Sequence, residues 1–344
     1  MSYEPFRVGA RTSRLARRQA GLVLDALAGA GIDAEFVGVE TAGDRAIDVP
    51  IGQIGGVGVF TRELERALAQ GEVDAAVHSL KDLATEMPAG LEIGAMLPRE
   101  DPRDVLVLAP GLRDGRTDRD GPASGKGRVG GALDLLPTGA VVGTASLRRR
   151  AFLLHLRPDL RVESIRGNVP TRLEKLDDGP YDAVVLAAAG LLRLGLEDRI
   201  DGHLPTTTFP SAPGQGAVAI QIRSDDSRAR TLTSSLDHPP TATRVAAERA
   251  FLRRIEGGCQ VPAGALAELD GGTVTLTTLV CSTDGERAVA ASATGTAEEA
   301  AAVGLAAADR ALQDGADEIL AALRAATAES AAGRHPDAAG GSGE

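Results

Sequence analysis

The chain has 344 residues and a net charge of −11, a length that calls for two or three domains and a balance that argues against a polyanion-binding surface over the whole molecule. Aromatic residues make up 2% of it, with no Trp, 2 Tyr and 6 Phe, so the core is built from Ala, Leu, Val and Ile, and no nucleic-acid partner is expected where stacking platforms are this scarce. Two cysteines in unlike settings make no disulfide framework, the five histidines (78, 155, 203, 238 and 335) show no metal-ligand spacing, and no window approaches the roughly 18 apolar residues of a membrane helix. The Met1–Arg7 opening lacks a basic-then-apolar pattern, so the reading is a cytoplasmic, monomeric chain with reduced thiols, no metal and no membrane contact.

In chain order, Arg7–Ala10 reads as a strand, and Ser13 caps a helix whose apolar face is Leu15, Leu22, Val23, Ala26 and Leu27, ended by Gly29 and Gly31. Ala34–Val39 is the second strand. A glycine-rich run, Gly52 to Phe60, precedes a helix capped by Thr61; it fits an anion cradle but neither the Rossmann spacing nor a P-loop. Val73–Val77 returns as a strand ending at His78-Ser79-Leu80-Lys81-Asp82. Residues 110–131 carry seven glycines and almost no apolar content, and read as a mobile surface loop. Alternation resumes with strands at 140–143, 162–165 and 183–187, before helices near Leu147, Val169 and Leu191. A Gly/Pro-rich hinge, Phe209–Gly216, leads into the strand Ala217–Ile222 and back towards the first unit. A helix over 242–255, strands near 273–281 and 287–292, and Ala-rich helices over 297–326 form a separate α+β unit. The division is therefore 1–102 with 214–236, then 103–213, then 237–327, followed by a disordered tail over 328–344.

Arginines recur just after the predicted strands: Arg11, Arg148, Arg149, Arg150, Arg166 and Arg172, with Arg193 on a later helix. Strand ends are the ligand edge of an α/β sheet, and guanidinium makes paired hydrogen bonds to carboxylate or phosphate. In an acidic protein such an array implies a ligand with several negative groups, although any one of these arginines is as well explained by a solvated helix face. Lys81-Asp82 is either a surface ion pair or a carboxylate placed to stabilise a cation and relay protons. Cys281, in Thr278-Leu279-Val280-Cys281, reads as a buried small hydrophobe. Cys259, in Glu256-Gly257-Gly258-Cys259-Gln260-Val261-Pro262, sits on a tight loop after a helix C-terminus, where the dipole disfavours a thiolate. That setting suits a thiol that reacts once to give a stable thioether better than a nucleophile that cycles.

Together these segments resemble the porphobilinogen deaminase (hydroxymethylbilane synthase) family. The likeness runs from about residue 7 to 325 and rests on Val77-His78-Ser79-Leu80-Lys81-Asp82, Arg99-Glu100-Asp101-Pro102-Arg103-Asp104, Val142–Arg149, Arg166-Gly167-Asn168-Val169, Gly214-Gln215-Gly216-Ala217 and the Cys259 loop. The resemblance implies two periplasmic-binding-protein-like α/β domains flanking a cleft, plus a smaller C-terminal α+β domain. It implies a transferase that joins four porphobilinogen molecules head to tail with loss of ammonia, in tetrapyrrole biosynthesis, on a dipyrromethane cofactor held by a thioether to Cys259. Lys81, Asp82, Thr144, Ser146, Arg148 and Arg149 would bind that cofactor; Arg11, Ser13, Phe60, Arg166, Arg172, Arg193 and Gln215 would serve the substrate. Asp82 would be the catalytic carboxylate, stabilising the azafulvene cation formed as ammonia leaves. Gln53 and Val57 stand where many members have lysines, and Arg14 where a proline is common. A non-enzymatic solute receptor and a thiol-dependent hydrolase or transferase are the rival readings; the Cys259 loop weighs against the first, and the lack of a histidine partner against the second.

Overall fold

The computed structural model describes residues 4–41, 61–115, 131–255 and 261–332. The glycine-rich run with Gln53, Val57 and Phe60, and Cys259 itself, lie outside the described residues.

Three sheets organise the chain. The first has the order β2 (Ala34–Val39), β1 (Phe6–Arg11), β3 (Ala75–Ser79), β10 (Val218–Arg223), β4 (Leu91–Met96), with β10 antiparallel to both neighbours. The second has the order β7 (Arg161–Glu163), β6 (Val141–Gly143), β8 (Ala183–Ala187), β5 (Asp104–Leu108), β9 (Gly202–His203), with β5 antiparallel to β8. The two orders correspond strand for strand: three strands in second-first-third sequence, a reversed strand, then an edge. In each sheet the reversed strand arrives directly from the other unit, β5 after β4 and β10 after β9. Two crossing segments, residues 97–103 and 204–217, therefore join the lobes.

Burial explains why these runs become strands. Val8, Ala10, Val77, Ile220 and Ile222 pack against the Arg14–Gly29 helix on one face of the first sheet, while Leu64, Leu68, Val73 and Ala76 pack on the other. A sheet covered on both faces takes continuous apolar strands, as in Val105-Leu106-Val107-Leu108 of β5, whose odd and even residues enter different clusters. Some readings change. Thr61 stands at the start of the Arg62–Ala69 helix but makes no capping bond to its backbone; its hydroxyl reaches the Glu65 carboxylate at 3.4 Å instead. The stretch from 110 opens with a helical turn, Pro110–Arg113, because proline at the first position presets the helical φ, and it closes with a turn at Gly131–Leu135 that buries Ala132 and Leu133.

The third sheet is the antiparallel meander β11 (Ala263–Asp270), β12 (Thr273–Cys281), β13 (Ala288–Thr296). The Pro239–Arg254 and Ala300–Ala311 helices cover one face, and Gly304 lets them touch, since a Cβ there would lie 2.2 Å from the Ala247 carbonyl oxygen. The last helix, Asp317–Ala332, carries five residues past the expected end of order at 327. Cys281 is fully buried against Phe152 and Phe209 of the second unit, and burial pushes its thiol up to about 12, the behaviour of a core residue.

Candidate active site

The helices that follow β1, β7 and β8 all begin at one cavity between the lobes. Leu15, Val169, Ala189 and Gly190 are first-turn wall residues of the Arg14–Gly29, Val169–Asp178 and Ala188–Arg193 helices. Ser13 and Asn168 cap two of them, accepting from the Ala16 and Thr171 backbone N–H groups. The charged wall residues of the cavity are all cations: Lys81, Arg149, Arg172 and Arg193.

Lys81 and Asp82 occupy the single helical turn Leu80–Asp82 that ends β3. Lys81 Nζ donates to Gln215 Oε1 at 3.1 Å. Burial, with Arg149 adding repulsion, pushes its ammonium down to about 8. Burial and Arg149 likewise lower the Arg172 guanidinium to about 10, while the Asp82 charge acts in the opposite sense on both cations. Asp82 is half-buried, and among the described residues its carboxylate has no hydrogen-bond partner. Arg193 donates through Nη2 to the Gly216 carbonyl at 2.7 Å, yet its Nε is buried without a partner. Cations outnumber carboxylates here and a buried donor is left over, so the site calls for an anion.

The counter-charge inside the wall is Asp104, fully buried at the start of β5. Its Oδ2 accepts from Arg148 Nη2 at 2.7 Å; its Oδ1 accepts from Arg149 Nε and Nη2 at 3.0 and 2.7 Å and from Gln215 Nε2 at 3.0 Å. Burial alone would raise the Asp104 carboxyl, but the two guanidinium groups overcome it and hold it at about 2. This network separates residues that sequence treats alike. Arg149 reaches the cavity wall. Arg148 does not: it donates to Asp104 and to the Pro210 carbonyl, and its guanidinium lies 5.7 Å from the centres of both the Phe152 and Phe209 rings. Gln215 is also turned inward, with Nε2 on the Pro102 carbonyl and Asp104, leaving only Oε1 towards Lys81 and Arg149.

Of the other residues picked from sequence, Arg11 ends β1, Thr144 and Ser146 link β6 to the Leu147–Leu156 helix that Ser146 caps, and Arg166 precedes Val169–Asp178; none of these forms the cavity wall. Two wall residues escaped the sequence reading. Gln19 is buried and bonded to Ser79 Oγ at 2.8 Å, both facing the cavity. A glutamine at the apolar spacing of Leu15, Leu22 and Val23 is the signal that marks it.

Two α/β lobes joined by paired crossings, with helix N-termini and four cations turned into the space between them, define a two-lobed protein with a cationic cleft, and Asp82 stands on the same turn as its wall residue Lys81. Comparison with known proteins supplies the family. The sequence profile "Porphobilinogen deaminase, dipyromethane cofactor binding domain" matches residues 6–231, and "Porphobilinogen deaminase, C-terminal domain" matches residues 242–313. The chain is 47% identical over 320 residues to the porphobilinogen deaminase of Desulforudis audaxviator (strain MP104C), covering 92% of this chain and 97% of that protein. It is 46% identical to that of Pelotomaculum thermopropionicum, with 92% and 96% covered. This chain belongs to the porphobilinogen deaminase family. Among solved structures, a nutrient binding protein from Burkholderia cenocepacia bound to methionine aligns with a TM-score of 0.39 and 14% identity, over 69% of this chain and 93% of that one.

Proposed function

We propose that this chain joins four porphobilinogen molecules head to tail, releasing ammonia at each addition, on a dipyrromethane primer carried by Cys259. The observation that carries this reading is the unpartnered Asp82 carboxylate on the same turn as Lys81, beside a cavity walled by Arg149, Arg172 and Arg193.

A dipyrromethane bearing acetate and propionate groups fits that wall, because its carboxylates supply negative charge that the four cations lack. When bound, it supplies the nucleophilic pyrrole carbon on which the chain grows. Lys81 and Arg149 hold carboxylates of the primer; Thr144 and Ser146 assist at the helix start. Arg11, Ser13, Arg166, Arg172 and Arg193 take the carboxylates of the incoming substrate, which gives the buried Arg193 Nε an acceptor, with Phe60 stacking near the rings. Asp82 holds the pyrrole N–H groups, stabilises the cation left on the substrate when ammonia departs, and receives a proton as aromaticity returns. Arg148 and Gln215 act through Arg149 and Lys81, whose side chains they fix.

We divide the chain into three domains, 1–102 with 214–236, 103–213, and 237–327, a reading that the three separate sheets support. Among the described residues no helix is long and apolar enough to cross a membrane. The net charge of −11 and the scarcity of aromatic residues support an enzyme working without nucleic acid, and we place it in the cytoplasm as a monomer.

Intact-protein mass tests the primer: an excess of two pyrrole units, lost in Cys259→Ala, is expected, and an unmodified wild-type chain would refute the reading. Asp82→Asn keeps size, removes the charge and is expected to lower ammonia release by at least about a hundredfold at unchanged thermal midpoint; near-normal release would remove Asp82 from its role.

A further inference from the structure

The carbonyls of Leu83, Ala84 and Thr85 immediately follow the Asp82 turn, and none of them belongs to a strand or helix. Such a run of acceptors needs donors wherever water is excluded. Here the donors come from the third domain. Arg249 Nη2 donates to the Ala84 and Thr85 carbonyls at 2.5 and 3.0 Å, Arg249 Nη1 to Leu83 at 3.4 Å, and Arg253 Nη2 to Thr85 at 3.0 Å. Burial and the neighbouring Arg253 push the Arg249 guanidinium down to about 10, so it stays cationic at neutral pH while three peptide dipoles point at it. Both arginines lie on the last turns of the Pro239–Arg254 helix, whose chain reaches Cys259 four residues after its cap, Ile255. The segment that carries the catalytic carboxylate is thus fastened to the helix that leads into the thiol.

We propose that Arg249 is a positioning residue for the reaction: by holding the 83–85 backbone onto the Pro239–Arg254 helix, it fixes where the Asp82 carboxylate stands relative to the third domain, whose sequence carries Cys259. This rests on the function proposed above. A tether and a proton-relaying group on different domains act together only if their separation is fixed, and a misplacement of an ångström costs up to about a hundredfold in rate. Within the Leu80–Asp82 turn, Leu80 shares a buried apolar cluster with Leu83 and with Val245 of the same helix, a contact without direction; Asp82 is unpartnered among the described residues and Lys81 is held by Gln215, so the directional bonds from the helix to this segment are those of Arg249 and Arg253.

The test measures ammonia release from porphobilinogen by wild type, Arg249→Ala, Arg249→Lys and, as a control on the same helix, Arg254→Ala, whose side chain pairs with Asp309 on the far side. Rates are referred to the primed fraction read by intact mass. Arg249→Ala is expected to lose about tenfold or more in kcat with KM within about threefold, and Arg249→Lys, which restores a cation with rotatable donors, to recover part of that loss. Arg254→Ala is expected to match wild type. Should Arg249→Ala fail to fold, Arg249→Gln takes its place in the comparison. A kcat within about twofold of wild type for Arg249→Ala would overturn the proposal, as would equal losses in the Ala and Lys variants that track their thermal midpoints. A wild type that releases no ammonia would instead refute the underlying function.

Discussion

Asp104 and the two arginines that hold it show how one buried carboxylate organises a cationic site. Without it, Arg148 and Arg149 would each be a desolvated charge, and the Arg149 head would not be aimed at the cavity. Asp104→Asn keeps the shape but removes the charge and turns one accepting oxygen into an NH2 donor that faces guanidinium donors, so both guanidinium groups lose their ionic partner. Breaking such a network costs about 3–5 kcal/mol, to be read as a shift in the urea midpoint. The sign of the acid response follows from the same carboxylate. Its folded value of about 2 lies below the ordinary 3.8, so its contribution is fully present above pH 3.8 and is lost as pH falls towards 2. The contribution is on the order of 2 kcal/mol. The variant is expected to lack this limb of acid denaturation; an unchanged limb would mean that another carboxylate supplies it.

At the scale of elements, the crossings between the lobes are held by contacts that only glycine allows. Gly216 has φ +86°, and a Cβ on it would lie 2.4 Å from the Glu100 carbonyl oxygen of the opposite crossing. Its own carbonyl accepts from the Glu100 N–H at 3.1 Å and from Arg193. Gly216→Ala is therefore expected to destabilise by about 3 kcal/mol in urea and to weaken substrate affinity, because Arg193 loses the acceptor that fixes its head. Much of this architecture is legible in sequence. Runs such as Ala183–Ala187 announce buried strands, and the arginines stand at strand ends where an α/β sheet binds ligands. What is not legible has physical causes. Arg148 and Arg149 are neighbours on a helix, so their side chains leave about 100° apart; one faces the cavity and the other packs beside Phe152 and Phe209. Ala263–Asp270 has helix-forming alanines and a glycine, and becomes β11 because eight residues pair with β12 while Gly264 admits the Pro210 carbonyl, 2.3 Å from where its Cβ would be. Thr61, an apt cap by type, turns to Glu65, which sequence spacing alone cannot distinguish from a backbone cap.

Across the whole molecule, one buried ion pair ties both crossings to the third domain. Arg99 on the first crossing meets Glu248 on the Pro239–Arg254 helix at 2.6 Å, with both side chains almost wholly buried. The carboxylate also accepts from the Gly214 N–H of the second crossing at 2.7 Å and from the Ala267 N–H of β11 at 2.9 Å. Buried pairs replaced by apolar residues of similar volume are often neutral in stability. This one is expected to behave differently. In Arg99→Met/Glu248→Leu both charges go, but two buried backbone N–H groups lose their acceptor at about 1–3 kcal/mol each. In Arg99→Met/Glu248→Gln the amide oxygen can still serve one of them, so this variant should lie between wild type and the Met/Leu pair. Glu248→Gln alone leaves the Arg99 cation buried without its counter-charge and should cost about 3–5 kcal/mol, in the range of other broken buried pairs. Urea unfolding of the four chains gives the order. Were Met/Leu as stable as wild type, the two N–H contacts would contribute nothing, and Glu248 would hold only its arginine. If instead the Met/Leu chain loses stability and activity together, with Asp82, Lys81 and Arg149 untouched, the junction of crossings and β11 is what keeps the cavity and the Cys259 arm in register.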